Sequence, residues 1–487
     1  MQIDEARVRA IVEQVVRSIA QDGKSAPSAP TAAARDGSGV TPAPISLGDG
    51  VFATIDEAVN ATATAQRAWI ALPLAKRKEI VEAVRRVGID HAELIARETV
   101  AETGMGRVAD KIVKLRAAAL GTPGFEDLTT RAWSGDHGLT IEEMAPYGVI
   151  AAVTPSTHPV PTMLNNTICN IVAGNGVVFN GHPAAKRVFA HGVQEVNRAI
   201  VKAGGPANLI TTTPEPTIEG ANALFAHPKV RLILVTGGAA VVKAAMASGK
   251  KVIAAGPGNP PVVVDETADI ERAARCIVEG ASFDCNVLCI AEKEVFVVDT
   301  VADELKRRMV AHGCFELTTQ QIDKLANWVF SGDAGCAHPR LSREAVGRDA
   351  ETLAKAIGIQ VPPTTRLLIG ETGKDNAFVQ HEQMTSFVPI VRCRDVHQAI
   401  DLALEAEHAF GHTAVMHSKN VENMDKMARV MNVTIFVKNG PSLAGNGSGG
   451  EGTSSYSIAG PTGEGITTPR TFTRVRRCAL VDYFRII

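Results

Sequence analysis

The spacing of apolar residues changes period along the chain, and each change marks a different kind of element. In the first twenty residues, MQIDEARVRAIVEQVVRSIA, Val8, Ile11, Val12, Val15, Val16 and Ile19 share one helical face, with Glu5, Arg7, Arg9, Glu13 and Arg17 largely elsewhere. This predicts a short amphipathic helix over 1–20. The following stretch, QDGKSAPSAPTAAARDGSGVTPAP, mixes Pro, Ala, Ser and Gly with almost nothing to bury and reads as a flexible linker within 21–47. On these residues two readings of the helix stay open: an element held away from the body, or a terminal helix lying on its own domain. Asp4, Glu5 and Glu13 argue against a mitochondrial presequence. From Thr54 to Thr103 the period is helical, with Thr54 as N-cap and Gly104 as stop.

After Gly104 short β-branched runs take over. GVIAAV (Gly148 to Val153), GVVFN (Gly176 to Asn180), LITTT (Leu209 to Thr213), RLILVT (Arg231 to Thr236) and KVIAA (Lys251 to Ala255) alternate with helical segments or turns, the pattern of a doubly wound parallel sheet. A second set, PVVVD (Pro261 to Asp265), EVFVVD (Glu294 to Asp299), RLLIG (Arg366 to Gly370), HTAVMHS (His412 to Ser418) and VTIFVKN (Val433 to Asn439), predicts a second α/β unit. The chain ends on TFTRVRRCALVDYFRI, an alternating charged and apolar strand with no evident partner nearby; such an edge pairs within the chain or across a subunit interface.

Composition narrows the classes. At 487 residues the chain is long for one core and fits two or three packed units. A formal net charge of -2 leaves no basic field for nucleic acid and no polybasic membrane patch. Eight cysteines without a C-x-x-C pair read as reduced thiols in a cytoplasmic chain, with no metal site. No apolar run is long enough to span a membrane, and no export leader opens the chain.

The candidate chemistry centres on SFDCNVLCIAEK (Ser282 to Lys293), where two cysteines lie four residues apart; spacing alone does not say which is reactive. A well-placed G-x-G-x-x-G is missing, but VTGGAAVVKAA (Val235 to Ala245) turns from strand to helix on Thr236, Gly237 and Gly238, where free N–H groups could face a pyrophosphate. Together with YGVIAAVTPSTHP, AGNGVVFNGHPAAK, AAGPGNPPVVVDETADI, HTAVMHSKN and the glycine-rich NGPSLAGNGSGGEGTSSYSIAGPTGEG, these segments resemble one family, from about Val51 to the C-terminus. It is the CoA-acylating aldehyde dehydrogenases of the propanediol and ethanolamine microcompartment type, within the aldehyde dehydrogenase superfamily.

The resemblance implies an α/β fold with a Rossmann-type cofactor domain (48–260), an α/β catalytic domain (261–455), and a small oligomerisation element built from residues near 120–145 and the C-terminal strand, with 456–487 returning to the cofactor domain. It implies that Cys289, before Ile-Ala-Glu-Lys, is the nucleophile, and that Cys285 is not. Thr157 or His158 is then a second donor to the alkoxide beside the Cys289 N–H; His158 departs from the family's usual Thr-Asn-Pro. NAD would lie against Thr154, Pro155, His182, Pro183, Thr236, Gly237, Gly238, Gly256 and Glu382. Acid-forming relatives carry a Glu base in a segment that here reads Ala255-Gly256-Pro257-Gly258-Asn259, so the implied acceptor is coenzyme A rather than water. The implied partners are a short aldehyde, CoA, shell proteins through 1–20 in a bacterial microcompartment lumen, and copies of the chain in a homo-oligomer. An acid-forming dehydrogenase and a catalytically silent shell-binding protein are the alternatives.

Overall fold

The computed structural model describes residues 42–331 and 340–485, so the amphipathic segment 1–20 and most of the linker lie outside the described residues. The helical stretch after Thr54 is three helices, Ile55–Ala71, Leu74–Asp90 and Ala92–Thr103. Thr54 closes a capping box with Glu57, and Gly104 ends the third helix in the left-handed conformation. The first break falls where Leu72, ahead of Pro73, is driven to an extended ψ of 144°.

Five parallel strands follow in the spatial order Ile210–Thr212, Gly176–Asn180, Val149–Val153, Val230–Thr236 and Lys251–Ala255. Alternate side chains feed two cores. Ile150, Ala152, Val177 and Phe179 pack with the helices Pro159–Val172 and Lys186–Lys202, while Val149, Ala151 and Val178 pack with Ala58, Val59 and Leu224 on the opposite face. Burial on both faces is what allows these strands to be almost wholly apolar.

The second sheet is parallel and seven-stranded, ordered Cys314–Glu316, Leu367–Glu371, Phe387–Cys393, Glu294–Val298, Pro261–Val264, Thr413–His417 and Ile435–Lys438. Two of its strands, Cys314–Glu316 and Phe387–Cys393, are not among those read from the sequence pattern. Pro389 sits inside the second of them, and an interior proline argues against a strand because it cannot donate to the ladder.

The C-terminal strand Thr473–Val481 finds its partner far upstream. It pairs antiparallel with Gly138–Pro146 from Thr473↔Pro146 to Val481↔Gly138, and Arg131–Gly135 adds the third strand. Trp133, Val475 and Val481 remain exposed on this small sheet.

Candidate active site

The quoted cysteine stretch begins where the helix Ile270–Ser282 ends, and its backbone is unusual. Asp284, Cys285 and Asn286 take left-handed φ of 48°, 56° and 64° in succession. For residues other than glycine each such conformation costs on the order of 1–3 kcal/mol and persists only when surrounding contacts impose it. Those contacts are dense. Asp284 Oδ1 accepts from the Arg107 backbone N–H at 2.8 Å, and Oδ2 accepts from Lys111 Nζ at 3.0 Å and Lys114 Nζ at 2.5 Å. Lys114 also donates to Val287 O at 2.7 Å, while Lys293 donates to Asn286 O at 3.2 Å and to Leu288 O at 3.0 Å.

Three successive carbonyls are thereby turned onto buried ammonium groups. Cys289 emerges next, partly exposed where Cys285 is 1% exposed, and its N–H lies beside its own sulfur and makes no backbone hydrogen bond. A donor in that place suits an oxygen growing on a carbon bonded to the sulfur.

The groups around Cys289 oppose premature ionisation. Burial first, and the Glu382 carboxylate second, push the Cys289 thiol up to about 12, with Lys293 and Lys114 pulling the other way. Burial likewise raises Glu382 to about 7, against the charge of Lys293 and the Gly258 N–H, which lies 3.5 Å from Oε1. His412 is buried and driven down to about 4, by burial and then by Lys293, so it is neutral at physiological pH. Its Nδ1 meets Thr413 Oγ1 at 2.9 Å, leaving Nε2 as the free nitrogen. Gly258 is the hinge of this arrangement. A Cβ there would stand 2.8 Å from both Cys289 O and His412 Cγ, so only glycine lets the segment Ala255–Asn259 pass so close to the nucleophile.

The residues singled out for the cofactor gather at the C-terminal ends of the five-stranded sheet, where open α/β sheets bind ligands. Thr154 and Pro155 follow Val149–Val153, His182 and Pro183 follow Gly176–Asn180, Thr236 to Gly238 follow the strand ending at Thr236, and Gly256 follows Lys251–Ala255. They fit a dinucleotide: Thr154 Oγ1 and Asn180 Oδ1 are buried without partners, and a Cβ at Gly238, which opens the helix Ala239–Met246, would meet nothing within 4 Å. Not all of them are free. Thr236 Oγ1 bonds Ser457 Oγ at 2.6 Å, the Gly237 N–H bonds Ala255 O at 3.1 Å, and His182 Nδ1 accepts from the Ala184 N–H at 3.1 Å. A Cβ at Gly256 would meet Pro461 Cγ at 3.0 Å, so that glycine faces the glycine-rich segment. Glu382 lies beside Cys289 and Gly258. Thr157 is half-buried on the loop ahead of the helix Pro159–Val172, and His158 is buried at its N-cap, edge-on to Tyr456 with ring centres 5.6 Å apart.

A cysteine at the junction of a dinucleotide-type sheet and a second α/β sheet agrees with what comparison with known families shows, since the aldehyde dehydrogenase family model matches residues 46–466. The chain belongs to the aldehyde dehydrogenase family. Among curated relatives of this dehydrogenase, the acetaldehyde dehydrogenase (acetylating) EutE of Salmonella typhimurium is 50% identical over 439 residues, covering 90% of this chain and 94% of that one. A propionaldehyde dehydrogenase from the Clostridium phytofermentans fucose utilisation bacterial microcompartment superposes with a TM-score of 0.88 at 44% identity, over 90% of this chain and 100% of that one. A Rhodopseudomonas palustris propionaldehyde dehydrogenase, solved with bound CoA and an acylated cysteine, gives 0.87 at 46% identity, over 90% and 99%.

Sequence reasoning missed several members of this dehydrogenase's site. Asp284 stood in the quoted stretch, but nothing local pairs it with Lys111 and Lys114. The available signal was the pair DKIVK, two lysines three apart inside an otherwise apolar helical face. Lys293 follows Cys289 by four residues and was legible only as part of the motif. His412, read from the sequence only as the start of a strand, packs against the glycine that touches the nucleophile.

The charge of Glu382 has a measurable consequence. In cofactor-free protein, Glu382→Gln should speed alkylation of Cys289 by iodoacetamide about threefold to tenfold at pH 8, because half to one pKa unit of opposition is removed. The wild-type rate should climb less steeply than the variant's between about pH 6 and 8, as Glu382 ionises through about 7. For stability the sign is the usual one for a raised carboxyl: its contribution is complete below the ordinary 4.5 and is lost as pH rises through about 7. Slower alkylation in the variant would refute this assignment.

Proposed function

We propose that this protein is a CoA-acylating aldehyde dehydrogenase that oxidises a short-chain aldehyde with NAD and delivers the acyl group to coenzyme A. One observation carries the reading: partly exposed Cys289 is flanked by the segment Ala255 to Asn259, which offers it no carboxylate and is pressed against it through Gly258. Cys289 releases its thiol proton to water, and the thiolate adds to the aldehyde carbon, forming the C–S bond and leaving an alkoxide. The Cys289 N–H and a donor from the Thr157–His158 loop hold that oxygen. NAD, bound across the strand ends, supplies the two-electron acceptor. Loss of the C–H electron pair leaves a thioester on Cys289, and Lys293 and Lys114 keep the loop carbonyls turned away from it.

With no carboxylate from Ala255 to Asn259 to activate water, the thioester persists until a thiol arrives. His412 Nε2 is placed to accept the CoA thiol proton, after which the CoA sulfur bonds the acyl carbon and the Cys289 thiolate departs. The relative's acylated cysteine and bound CoA support this order of events. NADH formation from acetaldehyde or propionaldehyde should be at least about tenfold faster with CoA than without. Rapid turnover without CoA would establish acid formation instead, and no turnover with either aldehyde would favour a silent shell-binding protein.

The microcompartment origin of the Clostridium relative supports a place inside such a shell, in the cytoplasm, with residues 1–20 as the docking helix. A helix of about five turns is marginal alone in water and gains order by laying its apolar face in a partner's groove. The exposed sheet of Arg131–Gly135, Gly138–Pro146 and Thr473–Val481 is the surface we assign to homo-oligomer formation. Deleting Met1 to Ala20 should leave turnover and oligomeric state unchanged and abolish co-assembly with shell proteins. A truncated enzyme that melts much lower yet still enters shells would show that the helix belongs to the body.

A further inference from the structure

The ring of His158 is 5% exposed, and its Nδ1 has no hydrogen-bond partner among the described residues. On its flank lies a cavity lined by Thr99, Lys111, Lys114, Leu115, Pro159 and Pro161, with room for about one water molecule. The two ammonium groups carry protons to spare. Among the described residues Lys111 donates only to Asp284, and Lys114 donates to Asp284 and to Val287 O, so three of their six N–H bonds are committed there. Thr99 Oγ1 donates to Ile95 O at 2.7 Å, and its lone pairs remain available. Thus a small cavity is lined by lysines with surplus donors and by a histidine whose Nδ1 is orphaned.

We propose that this cavity holds one ordered water that accepts from Lys111 or Lys114 and donates to His158 Nδ1, fixing the proton on Nε2, so that His158 is a neutral hydrogen-bond donor to the thiohemiacetal oxygen and Lys111 its positioning residue. The alternatives are poorer in acceptors. A proton on Nδ1 would add a further donor to a cavity whose lining side chains offer one acceptor, Thr99 Oγ1, against two ammonium groups. An imidazolium would add a third positive charge to the lining of the same cavity. Burial foremost, then Lys114 and Lys111, also hold the His158 pKa well below its ordinary value. The network therefore turns a histidine into a donor of fixed direction and zero charge, which keeps its proton rather than giving it to the alkoxide and does not repel a cationic nicotinamide ring.

This inference rests on the reading that the Thr157–His158 loop faces the reacting carbon, and its test separates the two. Histidine-selective 15N labelling of the full chain, assigned with His158→Phe, should show an unprotonated Nδ1 and a protonated Nε2 from about pH 6 to 9. Lys111→Met, and Thr99→Ile as a cavity-filling variant should the first not fold, should disturb that signature. Each should slow the pre-steady-state NADH burst about tenfold while changing the aldehyde KM less than about twofold. A protonated Nδ1 in the wild type, or variants that move neither the 15N signals nor the burst, would overturn the proposed water and tautomer. If the signature is present but His158→Phe leaves the burst intact, the oxyanion role is wrong.

Discussion

Replacing Cys289 by alanine should lower turnover by about 10⁴-fold or more, whereas Cys285→Ala should leave it within about twofold. The difference follows from where the fold puts two identical side chains. Cys289 is partly exposed, with its N–H beside its sulfur and the charges of Lys293, Lys114 and Glu382 around it. Cys285 is 1% exposed in a left-handed backbone conformation; burial pushes both thiols up to about 12, so access rather than acidity separates them. Alanine at Cys285 alters neither the required φ nor any hydrogen bond of the nucleophile loop. Its cost is one buried sulfur, about 1 kcal/mol. Incubation with aldehyde and cofactor in the absence of CoA, followed by peptide mass analysis, should place the acyl group on Cys289. Acyl mass on a peptide modified at Cys285 would reverse the assignment.

The second large effect is expected at Asp284. Its carboxylate accepts from both Lys111 and Lys114, whose side chains are 4% and 2% exposed, and those two positive charges outweigh burial to hold it below the usual carboxylate range. Asp284→Ala would strand two buried ammonium groups, and removing one partner of a buried pair costs about 3–5 kcal/mol. Function should fall with stability. Lys114, released from Asp284, no longer fixes Val287 O, two residues before the nucleophile. Asp284→Asn, which keeps an acceptor for the Arg107 N–H and tolerates left-handed φ, should lie between wild type and alanine in urea midpoint and in turnover. Alanine and wild-type proteins agreeing within about 1 kcal/mol would mean that the cluster is not what holds the loop.

Much of the architecture was legible because its signals are local. Runs such as GVVFN and KVIAA coincide with the strands Gly176–Asn180 and Lys251–Ala255, and the cap at Thr54 and stop at Gly104 lie where side-chain chemistry placed them. Phe387–Cys393 was not legible, since its interior proline contradicts a strand until the neighbours on either side are known. In the site, the motif singled out Cys289, but not what surrounds it. Gly258 and His412 are 154 positions apart in the chain (412 − 258) and touch only because two sheets are packed together.

What the sequence determined by itself is therefore most of the elements, the alternation of strand and helix, and the short stretch that carries the nucleophile. These depend on apolar periodicity and capping, which act over a few residues. Only the tertiary structure decided that Asp284 meets lysines 170 and 173 residues upstream, that Thr473–Val481 pairs with Gly138–Pro146, and that His158 stands beside those same lysines. Buried charges and unpaired strand edges must find partners wherever the chain can bring them. That search is settled by the packing of whole elements and leaves no mark on neighbouring residues.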